Sequence, residues 1–72
     1  MGSLPISNQI RRLRSEHREM TQQELADRIG VTRQTVNAIE LAKYSPSLEV
    51  AFRIAAVFEV SLEDVFQYGG RR

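Results

Sequence analysis

Cysteine is absent from this sequence, which excludes disulfides and any Cys-based zinc site as staples for a small domain. A single histidine, His17, leaves no His cluster for a metal. No apolar run approaches the length that crosses a bilayer, and nothing reads as a signal peptide, so the expectation is a soluble, cytoplasmic protein. A glycine-rich phosphate loop, a nucleophile elbow and metal-ligand spacing are all missing. Glu63 and Asp64 are neighbours in one turn rather than groups converging across a site. The chain is therefore expected to be no enzyme and to hold no metal or cofactor. At 72 residues it is one small domain, close to the size at which a single core is barely sufficient.

An excess of one charge is lacking too. The net charge of +1 by itself carries no message about nucleic acid. Its distribution carries more. Residues 1–43 hold Arg11, Arg12, Arg14, Arg18, Arg28, Arg33 and Lys43 against five acidic side chains, while residues 44–68 hold Arg53 against Glu49, Glu59, Glu63 and Asp64. The first half is thus basic and the second acidic, with Arg71 and Arg72 restoring the balance. Taken alone this is also what a solvated mixed-charge surface looks like.

What the sequence does have is helical periodicity, and no sustained strand alternation. Ile10, Leu13, His17 and Met20 mark one face of a first helix beginning near Ser7 or Asn8. Thr21 with Glu24 three residues on predicts a capping box and a second helix running to about Arg28. Thr32 caps a third helix with Val36 and Ile39 inward. Pro46 disfavours helix at Ser45 and marks a loop. Ser47 caps a fourth helix with Leu48, Ala51, Ile54, Ala55 and Phe58 on its inner stripe. Ser61 with Asp64 starts a short fifth bearing Leu62, Val65 and Phe66. Residues 1–6 are expected to be an N-terminal tail, 7–68 the folded domain, and 69–72 a flexible tail.

Across the second and third helices, Gln22, Ala26, Gly30, Val36 and Ile39 fall at the spacing Q-x3-A-x3-G-x5-V-x2-I. Each type suits two helices crossing tightly: Ala26 is small at the crossing, and Gly30 can take the left-handed conformation that ends a helix. This is the pattern of a helix-turn-helix, whose second helix enters the DNA major groove. With Val36 and Ile39 inward, Arg33, Gln34 and Asn37 turn outward. Arg33 suits guanine, and Gln34 or Asn37 suits adenine, each through a bidentate pair. Thr32 and Ala38 complete the base-reading set, and Thr35 and Ala38 offer methyls to thymine. Gln22 at the start of the second helix, Thr35, Lys43 and Tyr44 are the phosphate-binding candidates, with Ser45 as a further loop donor. A plain solvated helix face is the bland alternative for the whole set.

The strings TQQELADRIGVTRQTVNAIE, KYSPSLEVAFRIAAVF and VSLEDVF, in that order, make residues 8–68 resemble the phage-repressor and Cro-like (Xre-type) DNA-binding domains. The resemblance implies an all-α, compact, five-helix lambda-repressor-like fold that binds double-stranded DNA as a homodimer and regulates transcription without catalysis. It implies that Gln22 donates its amide to the DNA backbone. It also implies a brace between Arg14 and Glu40, which would mask a carboxylate at the end of the reading helix. Three places where the family commonly has glycine hold Arg18 (or Glu19), Ala42 and Glu59. If φ is positive there, each non-glycine residue costs roughly 1 kcal/mol; if φ is ordinary, each stabilises by roughly 0.4–1 kcal/mol. Both alternatives stand at this point, as does a third helix lengthened through Leu41-Ala42.

Val50, Phe52, Val57, Phe66 and Tyr68 exceed what one inward stripe needs, and form the candidate dimer interface. A fully wrapped core helix is the other account of them. The reading is a repressor-like regulator on a palindromic operator. Its rivals are an antitoxin-type autoregulator that also clamps a separate protein partner, and a protein-interaction module that uses the fold without reading bases.

Overall fold

The computed structural model describes residues 5–69. Their order is β1 (Ile6–Asn8), α1 (Ile10–Glu16), α2 (Gln22–Ile29), α3 (Arg33–Glu40), α4 (Leu48–Phe58), α5 (Leu62–Val65) and β2 (Phe66–Tyr68). The five expected helices are present, and four begin where a hydroxyl predicts. Thr21, Thr32, Ser47 and Ser61 lie in extended backbone and accept a hydrogen bond from the amide three residues on. Thr21–Glu24 and Ser61–Asp64 are complete capping boxes.

The first helix differs. It starts at Ile10 rather than near Ser7, because Ile6–Asn8 pairs antiparallel with Phe66–Tyr68 in a two-stranded ribbon. The boundary expected after residue 6 therefore falls earlier, since Ile6 is in β1. Gly69, expected in the C-terminal tail, is tied to the fold, its amide donating to the Pro5 carbonyl at 2.7 Å. Residues 70–72 of that tail, and most of the N-terminal one, lie outside the described residues. Asn8 replaces a conventional cap: its Oδ1 accepts from the Ile10 amide at 3.1 Å.

Leu25, Ala26 and Ile29 of α2 pack with Val36 and Ile39 of α3, Ile54, Ala55 and Phe58 of α4, and Ile10, Leu13, Met20 and Val65. Met20 is buried although α1 has already ended, because the chain doubles back through Arg18 and Glu19. The inner stripe of α4 holds with one correction: Leu48, at the first turn, is 67% exposed. Among the described residues, no helix is long and apolar enough to cross a membrane.

All the non-glycine replacements sit at positive φ: Arg18 at 58°, Glu19 at 53°, Ala42 at 59° and Glu59 at 58°. The destabilising alternative is the one that applies. Helix α3 is not lengthened. Leu41 ends it, Ala42 turns left-handed, and the Lys43 amide reaches back to the Ala38 carbonyl at 2.9 Å. Helices α2 and α4 stop the same way, with Val31 bonded to Ala26 and Val60 to Ala55, both at 3.1 Å. Three helices share one C-terminal geometry, and only α2 has a glycine, Gly30, to make it.

Candidate nucleic-acid interface

Ala26 is fully buried where α2 and α3 cross, and Gly30 takes φ 78° in the turn between them. Anchoring Val36 and Ile39 in the core rolls the opposite side of α3 outward. Arg33, Gln34 and Asn37 are accordingly exposed and Ala38 half-buried. Thr32 and Thr35 serve the helix itself: Thr32 Oγ1 accepts from the Thr35 amide at 3.1 Å and lies 3.0 Å from Thr35 Oγ1. Their methyl groups and remaining hydroxyl valences are what they can offer to a ligand. Beyond α3, Lys43, Tyr44 and Ser45 are all exposed. Among the described residues, Arg33 and Lys43 make no ion pair, whereas Arg12, Arg14 and Arg53 do.

Arg14 and Glu40 form the brace. The guanidinium meets the carboxylate through two bonds, Nε to Oε2 at 2.6 Å and Nη2 to Oε1 at 3.1 Å. Both side chains are largely buried, 15% and 7% exposed. Nη1 of Arg14 also donates to the Met20 carbonyl at 2.7 Å. One side chain thus ties α1, the 17–20 turn and the end of α3 together, and the negative charge of Glu40 is withdrawn from the outer face.

Gln22 is placed differently from the expectation. Its Nε2 donates to Glu40 Oε1 and to Asn37 Oδ1, each at 3.1 Å. Both amide hydrogens are engaged inside the protein, so the side chain has none left for a phosphate in this arrangement. Only its backbone amide, with that of Gln23, is without an acceptor at the start of α2 among the described residues.

Two positioning residues escaped the sequence reading. Asn8 donates from Nδ2 to the Ile39 carbonyl at 2.9 Å, tying the ribbon to the last turn of α3. Arg53 donates from Nη1 to the Ile29 carbonyl at 3.1 Å and from Nη2 to Glu49 at 2.7 Å, placing a cation at the C-terminus of α2. An asparagine just before a helix was a signal for the first. The 24-residue separation of Arg53 and Ile29 left none for the second. His17 is a packing residue, edge-on to Phe58 with ring centroids 5.1 Å apart.

The candidate dimer residues divide. Val50, Val57 and Phe66 are half-buried against the chain's own core, which accounts for them within one protomer. Phe52 and Tyr68 are exposed. A groove of about 320 Å³ is lined by Ile6, Pro46, Leu48, Leu62 and Phe66 with the small Ser45 and Ala51, and by no charged side chain among the described residues. Leu48 and Phe52, four residues apart, share one face of α4.

Residues 10–65 match the family described as Helix-turn-helix. An uncharacterized HTH-type transcriptional regulator of Methanocaldococcus jannaschii is 48% identical over 63 residues, covering 88% of this chain and 94% of that protein. One from Archaeoglobus fulgidus is 47% identical over 61 residues, covering 85% and 86%. One from Bacillus subtilis is 43% identical over 61 residues, covering 85% and 91%. A crystal structure from Bacteroides fragilis shares the fold with a TM-score of 0.75 at 22% identity, covering 86% of this chain and 98% of that one.

Proposed function

Because this chain belongs to the Xre/Cro-like helix-turn-helix family of DNA-binding transcriptional regulators, we propose that it is a repressor-like regulator that reads a palindromic operator as a homodimer. The observation that carries this is the outer face of α3. Arg33, Gln34 and Asn37 project together while the one carboxylate of that helix, Glu40, is neutralised by Arg14. Arg33 pairs with guanine N7 and O6. Gln34 and Asn37 take the neighbouring base edges, and Ala38 with the Thr32 methyl packs on thymine. Lys43, Tyr44, Thr35 and the free amides of Gln22 and Gln23 grip the phosphates and set the register. A scaffold that never met bases would have no use for this set.

The second copy docks on the groove that Leu48 lines, with the exposed Phe52 and Tyr68 as further contacts. Its lining is uncharged, which suits a self-complementary apolar contact and not nucleic acid. Ser45 and Pro46, in the loop that follows α3, are part of that lining. Pairing there brings the C-terminal ends of the two reading helices toward the two-fold axis, and half-sites about 34 Å apart follow from one turn of DNA.

Selection from random duplexes tests the proposal. The expected product is a palindrome, with Arg33→Ala losing discrimination at one guanine in each half-site. Recovery of no consensus, or Arg33→Ala binding the palindrome unchanged, refutes base reading by α3.

A further inference from the structure

The chain of side chains from Arg14 to Asn37 has a direction. A guanidinium only donates and a carboxylate only accepts, and Arg14 holds both oxygens of Glu40. The atom that Gln22 turns to Glu40 Oε1 must therefore be its nitrogen, Nε2, at 3.1 Å. The same nitrogen faces Asn37, also at 3.1 Å, so Asn37 has to present its oxygen, Oδ1, inward. That leaves Asn37 Nδ2, on an exposed residue, with two donor hydrogens and no acceptor among the described residues.

We propose that Glu40, acting through Gln22, fixes Asn37 as a hydrogen-bond donor toward the base edge, so that this position selects guanine or thymine rather than adenine. The inference rests on α3 being the base-reading helix. An asparagine that reads adenine uses both ends of its amide, accepting from N6 while donating to N7. Here the accepting end is turned toward Gln22 and one of its two lone pairs is occupied, so an adenine amino group has to approach from the Gln22 side and share that oxygen, while Nδ2 is uncommitted. Guanine offers N7 and O6, and thymine offers O4, all of them acceptors that match an amide nitrogen. This reverses the adenine pairing that the residue type alone suggests. Gln22 and Glu40 become positioning residues: neither touches the base, and together they set which one is accepted.

The test uses the full chain and the operator recovered by selection. Asn37→Ala identifies the position that depends on Asn37, and that position is then varied through all four base pairs. The wild-type protein is expected to prefer guanine or thymine there over adenine by about tenfold, within the range one good contact discriminates. Gln22→Met removes the amide at similar length and should narrow that preference to about threefold or less. Discrimination at the Arg33-dependent guanine should stay unchanged, which also shows that the variant is folded. Adenine preferred by the wild type, or a preference unmoved by Gln22→Met, overturns the proposal while leaving base reading intact. Uniform weakening by Asn37→Ala across all sequences places the residue on phosphate and overturns it as well. Recovery of no consensus by the wild type removes the base-reading premise along with it.

Discussion

Four side chains stand where the backbone would be easier with none. Arg18, Glu19, Ala42 and Glu59 all hold positive φ, and the Cβ of an L-residue crowds its own carbonyl there. Ala42→Gly and Glu59→Gly should each stabilise the fold by about 0.5–1 kcal/mol, the crowding relieved being partly offset by the freedom glycine gains when unfolded. Thermal melts should then rise by a few degrees per substitution, as expected for a domain of this size. A fall in either melt would mean that the methyl or carboxylate has a role its turn does not reveal. Glu40→Ala acts in the opposite sense. It leaves the Arg14 guanidinium largely buried without its partner and should cost about 3 kcal/mol. It also frees the end of α3, so operator affinity and melting temperature should drop together. A variant with wild-type melting and binding would remove the brace from the account.

At the scale of elements, the sequence and the structure agree where the chemistry is local. Thr21, Thr32, Ser47 and Ser61 announce their helices because a cap needs only its own next three residues. Gly30 announces the turn for the same reason. The ribbon was not legible: three residues a side carry too little alternation to separate strand from coil, and their partners are about sixty residues away. Nor was the orientation of Gln22, whose amide suits a phosphate or a carboxylate equally well until Glu40 is brought beside it. Val50 and Val57 can be read two ways from sequence because a widened apolar stripe fits a thick core and a docking face alike, and the structure packs both partly against the core. The outward turn of Arg33, Gln34 and Asn37 was readable from helical spacing alone, since Val36 and Ile39 determine it. Asn8 shows what the ribbon contributes. It accepts from α1 and donates to α3, so Asn8→Ala should cost about 1–2 kcal/mol. Amide exchange should quicken at Ile10 more than in α4, and uniform exchange changes would argue against a local tie.

For the whole molecule, the two surfaces proposed to work are separated by chemistry. Among the described residues, the face of α3 is polar and, with Arg33 on it and Lys43 just beyond it, bears cations that make no ion pair, whereas the groove by α4 and α5 is apolar and lined by no charged side chain. A change on one can therefore be read without disturbing the other. Leu48→Asp alters a side chain that is 67% exposed, so it should move the stability of one protomer by no more than about 0.5 kcal/mol. With the groove as the proposed dimer contact, it should leave a monomer in sedimentation and weaken operator binding steeply, with a shallower salt dependence because a monomer neutralises fewer phosphates. A variant that stays dimeric would move the second copy to another face.

The Pro5–Gly69 hydrogen bond that closes the ribbon brings the two ends of the described chain side by side. Topologically the described domain is close to a ring with a single cut, and an exposed loop can carry the cut instead. Joining the ends with a short flexible segment and opening the chain at Lys43–Ser45, which is exposed, should give a permuted protein with the same helices. In the permuted order β1 and β2 become neighbours in sequence, and a closure that spans the whole chain shrinks to a hairpin. Folding should speed up accordingly.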